Sequence, residues 1–195
     1  DDYQVLFLQG GATTQFAMIP LNLLAGKRNA DYLNTGSWST KAIKEAGKFC
    51  EVNVVASAAA SNFDRIPDSA DWQVNADAAY LHVCSNETIG GVQFHEYPCS
   101  SSPLVADMSS DILSRPIDVS RFALIYAGAQ KNIGPAGLTV VIVRKDLLGN
   151  AAPDTPSMLD YAIHAKADSM SNTPPTYAWY LAGLVFRWLQ ELGGL

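Results

Sequence analysis

The sequence predicts an α/β fold, a mostly parallel seven-stranded sheet sandwiched by helices, and three observations carry that expectation. Short apolar or β-branched runs alternate with longer stretches of helical period, the pattern left by strands in a sheet and the helices that cover it. Several of the runs are apolar throughout, as strands covered on both faces are. Of the 195 residues, 48% are hydrophobic and 16% charged, which describes a packed chain and not a disordered one, long enough for one domain with a substantial core.

The elements follow in order. Gln4 to Leu8 is an apolar run that ends in Gln9-Gly10-Gly11-Ala12-Thr13-Thr14, small residues suited to a tight turn into a helix from about Thr13 to Leu24. Ala30 to Leu33 is a second strand, and Thr35-Gly36-Ser37-Trp38 leads into a helix over Ser39 to Cys50. Val52 to Ala56, Ala79 to Cys84, Leu104 to Asp107, Phe122 to Tyr126 and Leu138 to Val143 complete the seven strands. Asn150 to Pro175 holds four prolines and no clear period, so it reads as an irregular crossing. The last helix, Tyr177 to Leu192, carries Trp179, Leu181, Leu184, Val185, Trp188 and Leu192 at three-and-four spacing, which predicts one face packed on a core.

Charge and composition narrow the function. The formal charge is -6, and the 13 Lys and Arg residues are scattered with never more than two adjacent, so no basic stripe is available to follow a nucleic-acid backbone. No apolar stretch approaches the roughly 20 residues of a membrane-spanning helix, and no basic region with an apolar core opens the chain. A soluble, cytoplasmic protein is expected. Cys50, Cys84 and Cys99 are odd in number and widely spaced, against a disulfide framework or a zinc knuckle, and His82, His95 and His164 lack metal-ligand spacing. Asn86-Glu87-Thr88 matches a glycosylation triplet, which is too short to weigh. Asp1-Asp2 stands directly before a strand and Gly193-Gly194-Leu195 directly after a helix, with no starting Met, so a piece of a longer chain is expected.

In parallel sheets, ligands bind beyond the carboxyl ends of the strands. The turn Gly10 to Thr14 opens a helix there, where backbone N–H groups suit a phosphate. Asp107 ends an apolar strand, a costly place for a carboxylate without a partner. Lys131, in AGAQKN after Phe122 to Tyr126, is a cation at a strand end. A lysine in a partly desolvated site loses proton affinity, and its free amine attacks carbonyls. Separately, each has a plainer explanation: a helix cap for Asp107, a solvated loop charge for Lys131, a core residue for Trp38. Together they fit pyridoxal phosphate, which needs a lysine for its Schiff base, an acid beside the pyridine nitrogen, a phosphate cup, and an aromatic face such as Trp38 for the ring.

GGATTQFAMIPLNLL, YLNTGSWSTKAIKEA, CSNETIGGVQF, LVADMSSDILSRPIDVSRFALIYAGAQKNIGPAGLTVVIVRKDLLG and NTPPTYAWYLAGLVFRWL, covering most of the chain, resemble the class V aminotransferases of fold type I. AGAQKNIGPAG and SNETIGGVQF are distinctive of the branch that makes O-phospho-L-serine. The resemblance implies catalytic roles for Lys131, in the covalent link to the cofactor, and for Asp107, at the pyridine nitrogen. It implies that Trp38 stacks on the ring and Thr88 bonds its phenolic oxygen, while the Ala12 and Thr13 amides and Gln130 hold the phosphate. Asn172 and Thr173 would reach that phosphate from the second subunit of a homodimer. The implied reaction is a ping-pong transfer of the amino group of L-glutamate to 3-phosphohydroxypyruvate, with no metal.

There are departures from the family. Its substrate-binding His-Arg pair and a further arginine belong to an N-terminal segment and a C-terminal small domain outside these residues, so residues 1–195 would be the cofactor-binding large domain. Thr13 stands where some members have arginine, and Arg28, Arg65, Arg115 and Arg121 match no motif for the missing roles. Three alternatives stay open. One is an inactive truncated domain that keeps the cofactor, and another is a different class V enzyme using pyridoxal phosphate. The third is a short-chain dehydrogenase, for which Tyr126 and Lys131 stand one residue too far apart for Y-x-x-x-K.

Overall fold

The computed structural model describes residues 2–195. Its main sheet is built from β1 (Tyr3–Leu8), β2 (Asn29–Asn34), β3 (Glu51–Ser57), β4 (Leu81–Cys84), β7 (Leu104–Asp107), β8 (Leu124–Gly128) and β9 (Thr139–Arg144). Their spatial order is β1-β9-β8-β7-β4-β2-β3. Only β9 runs against the others: it pairs antiparallel with both β1 and β8, whereas β8, β7, β4, β2 and β3 pair in parallel. The carboxyl ends of β1, β4, β7 and β8 therefore lie along one edge, together with the start of β9. The expected sheet is present with small shifts, β8 beginning at Leu124 where the apolar run begins at Phe122.

Helices α1 (Gly11–Leu23) and α2 (Ser37–Ala46) cover one face, over a core that includes Leu6, Phe16, Ile19, Tyr32, Ala42, Tyr126 and Tyr161. The other face packs Leu33, Val83, Leu104, Ile125, Phe94, Phe122 and the helix α4 (Thr176–Glu191). Helix α2 stops four residues before the expected end, because Gly47 breaks the run and the Ala46 carbonyl turns to accept from the Phe49 and Cys50 amides.

Three features depart from the sequence reading. A two-stranded hairpin, β5 (Asn86–Glu87) and β6 (Val92–Gln93), follows β4. The region read as an irregular crossing contains α3 (Tyr161–Lys166), whose first turn is capped by the Asp160 carboxylate accepting from Ala162 N at 2.8 Å. Helix α4 also buries a different face from the one expected. Ala178 and Ala182 are its buried residues, with Trp179 and Phe186 packed beside them, while Leu184, Trp188 and Leu192 are exposed. Apolar residues run around most of this helix, so spacing alone does not say which side faces the sheet. The small residues win because they let α4 approach Gly137, where a Cβ would meet that of Ala178 at 3.3 Å.

Candidate functional site

A cleft of about 430 Å³ opens at the strand-end edge. Ala12, Thr13, Trp38, Thr88, Asp107, Gln130 and Lys131 all line it, although they come from five separate parts of the chain.

The floor is the junction of β1, α1, β8 and β9. Gly10 precedes α1 with φ 94°, the left-handed region that glycine enters without strain. Gly11 N donates to Thr139 Oγ1 at 2.8 Å, which pins the helix start to β9. At Gly128 a Cβ would come within 2.9 Å of Ala12 N, so the end of β8 passes too close to α1 for any side chain. The Ala12 and Thr13 amides belong to the first turn, where an α-helix leaves its N–H groups without intrahelical acceptors and carries positive dipole potential.

One wall is set by a residue the sequence reading passed over. Glu87 is fully buried, and its carboxylate accepts from Trp38 N at 2.9 Å and from Ser39 N and Ser39 Oγ, each at 2.8 Å. A carboxylate is well placed at a helix start, and a Cβ on Gly36 would overlap it. The indole N–H of Trp38 donates to Thr88 Oγ1 at 3.2 Å, and the Lys41 ammonium lies 4.3 Å from the Trp38 ring centroid. Glu87 thus couples the α2 start to the β5–β6 hairpin that carries Thr88. It lies inside the quoted motif SNETIGGVQF, but nothing local marks it as the acceptor for a turn 49 residues away.

Asp107 closes β7 and is 5% exposed. Its Oδ1 accepts from Ser109 Oγ at 2.6 Å and Ser109 N at 3.0 Å, and Ser109 Oγ accepts from Gly128 N at 3.0 Å. Burial pushes the carboxyl up to about 6, against the pull of hydrogen bonds from Ser109 and Tyr126. Among the described residues it forms no salt bridge.

Lys131 faces the same cleft from the loop after β8 but is exposed. That corrects the expectation of a partly desolvated lysine: the neighbouring Gln130, Asn132, Pro135, Ala136 and Gly137 are exposed as well. Asn172 and Thr173 stand outside the cleft, where Gln9 Nε2 donates to Thr173 O at 2.9 Å. The cysteines are free, and no group of three or more potential metal ligands occurs among the described residues.

Chemically, the cleft offers amides for a compact anion, an aromatic face, a hydroxyl, a buried acid without a cation, and a primary amine. That set fits a planar anionic ligand with a basic ring nitrogen and a reactive carbonyl. The buried acid and the Gly128 approach are what a simple capped turn would not require.

Comparisons with known proteins agree with this chemistry. The family model described as Aminotransferase class-V matches residues 1–194. The chain is 65% identical over 195 residues to a phosphoserine aminotransferase of Laribacter hongkongensis, covering all of this chain and 54% of the relative. It superposes with TM-score 0.95 on the phosphoserine aminotransferase of Bacillus circulans subsp. alkalophilus, at 52% identity, covering 99% of this chain and 54% of that one. A pyridoxal-phosphate-bound phosphoserine aminotransferase from Trichomonas vaginalis gives TM-score 0.95 at 43% identity, covering 100% and 55%. The chain spans about half the length of the curated relatives it matches. With the match to the family model running along almost its whole length, this chain belongs to the class-V aminotransferases.

Proposed function

We propose that this chain is the cofactor-binding large domain of a phosphoserine aminotransferase, which passes the amino group of L-glutamate to 3-phosphohydroxypyruvate and yields 2-oxoglutarate and O-phospho-L-serine. The observation that carries the reading is the meeting of Asp107, Lys131 and the first turn of α1 in one cleft, and the close relatives of that name support it.

Pyridoxal phosphate, when bound, supplies an aldehyde that takes up and releases the amino group and a ring that accepts the electron pair left by Cα–H cleavage. The residues of this chain do the rest. The Ala12 and Thr13 amides and Gln130 would hold the phosphate, and Trp38 would stack on the ring. Thr88 would donate to the phenolic oxygen, since Trp38 Nε1 already donates to the Thr88 hydroxyl oxygen. Asp107 would pair with the ring nitrogen and keep it protonated. Lys131 Nζ would hold the aldehyde carbon and, once the amino group of the incoming amino acid has displaced it, would be free to take the Cα proton and return it on the other side of the transfer.

Asn172 and Thr173 lie outside their own cleft, which is compatible with the role that the resemblance implies for them in the cleft of a second subunit of a homodimer. A cytoplasmic location goes with this role in serine synthesis.

A second reading, cofactor binding without turnover, has one observation in its favour. Lys131 is the only cation among the described residues that line the cleft, and a doubly anionic substrate needs more than that. Titration of the purified chain with pyridoxal phosphate, followed by visible absorbance, tests the shared part. A saturable band that Lys131→Ala abolishes is expected, and no band in the parent contradicts the proposal. A transamination assay of the parent then separates the two readings.

A further inference from the structure

Beneath Asp107, a series of buried polar rings occupies the α1 side of the sheet. Tyr126 is the register neighbour of Asp107 across β7 and β8, so the two side chains share a face. The Tyr126 hydroxyl acts on the Asp107 carboxyl in the direction that lowers its proton affinity, and it lies 2.9 Å from His82 Nε2, which reaches it from β4 on the far side of β7. The His82 ring stacks on Tyr32 with centroids 4.8 Å apart, and the Tyr32 and Tyr80 hydroxyls are 2.8 Å apart. All four rings are essentially inaccessible to water.

The chain of hydrogen bonds has a defined direction. His82 Nδ1 is buried and has no partner among the described residues. A bare acceptor there is cheaper than an orphaned N–H, so the neutral ring carries its proton on Nε2. Nε2–H then donates to the Tyr126 oxygen, which leaves the Tyr126 proton for Asp107. Burial holds His82 neutral, with its imidazole drawn down to about 3, so this direction persists across the physiological range.

We infer that Tyr126 and His82 are positioning residues for Asp107: together they deliver one oriented hydroxyl proton to its carboxylate and favour its ionised, ring-nitrogen-binding form. The inference rests on the cofactor reading only for its consequence, because the hydrogen-bond chain belongs to the protein alone. The other ionisable groups around Asp107 are Cys84 beside it on β4, Glu87 in the hairpin, Asp111 in the turn after β7, and Lys131 across the cleft. Helix α1, which packs Phe16 edge-on against Tyr126, brings no ionisable residue.

The test follows the Asp107 carboxyl by ¹³C NMR through a pH titration of the cofactor-free chain. Tyr126→Phe, His82→Leu and His82→Gln are compared, the last keeping a side-chain N–H near Nε2. Expected is a midpoint raised by at least about half a pH unit in Tyr126→Phe, a smaller rise in His82→Leu and a value near the parent in His82→Gln. A Tyr126→Phe midpoint within about 0.2 unit of the parent overturns the inference. Should Tyr126→Phe not fold, the two His82 variants decide: a rise in Leu alone supports it, and equal midpoints overturn it. A second arm records the visible band of the pyridoxal-phosphate-loaded chain against pH. Weaker ionisation of Asp107 leaves the ring less positively charged, so the band's midpoint should move upward in Tyr126→Phe. Absence of any band in the parent counts against the cofactor reading alone and leaves the first arm standing.

Discussion

Asp107 is where the sequence raises the sharpest question and the structure answers it in physical terms. A carboxylate that is 5% exposed and without a cationic partner binds its proton more tightly folded than unfolded. Its folded value of about 6 lies above the unfolded value near 3.8. The native state therefore holds more protons between those values, and stability falls as pH rises through them. For the cofactor-free chain this amounts to on the order of 2–3 kcal/mol between pH 4 and pH 7. Urea unfolding at the two pH values should show that loss in the parent and a much flatter dependence in Asp107→Asn. An unchanged slope in the variant would assign the pH dependence to other groups. A bound cation at Asp107 reverses the situation, which is the physical reason a protonated ring nitrogen belongs beside it.

Among the elements, the start of α2 shows most clearly how the site is assembled. Glu87 satisfies two backbone amides and a hydroxyl of that helix and fixes the segment carrying Trp38 against the hairpin carrying Thr88. Replacing Glu87 with Ala strands the Trp38 and Ser39 amides, while the Ser39 hydroxyl keeps Gly36 O and Asn34 Oδ1 as acceptors, and should cost about 2–3 kcal/mol in urea unfolding, with Glu87→Gln recovering part of it. Loosening of Trp38 should accompany the loss as a change in tryptophan emission. The strands and the turns before α1 and α2 were legible in sequence because apolar runs and small residues are local signals. The hairpin was not, since two-residue strands carry no period, nor was α3, whose six residues hold one turn and a capping Asp160. Tyr126 and His82 read as strand residues. Only the register of β4, β7 and β8 places them under Asp107.

For the whole molecule, the outer side of α4 is the largest departure from a self-contained domain. Tyr177, Tyr180, Leu184, Trp188 and Leu192 are all exposed, the last two at 57% and 62%. An apolar surface of this kind is what the proposed homodimer would cover, and the chain spans about half the length of its relatives. Sedimentation at tens of micromolar should show association that Tyr180→Glu with Trp188→Glu weakens, while the Asp107 titration stays unchanged. A monomeric parent would remove self-association from the proposal. No helix among the described residues is long and apolar enough to cross a membrane. That Ala12, Thr13, Asp107 and Lys131 meet in one cleft was readable in their order along the chain, because parallel strands bring successive carboxyl ends to one edge. The face of α4 was not, because its apolar residues nearly encircle it.

The central claim is that Lys131 is the amine that holds the cofactor. Incubating the chain with pyridoxal phosphate, reducing with borohydride and mapping the added mass by peptide sequencing tests it most directly. One pyridoxyl group on the peptide containing Lys131, absent from Lys131→Ala, is the result expected. Label spread over the exposed lysines, or retained in full by Lys131→Ala, would contradict it.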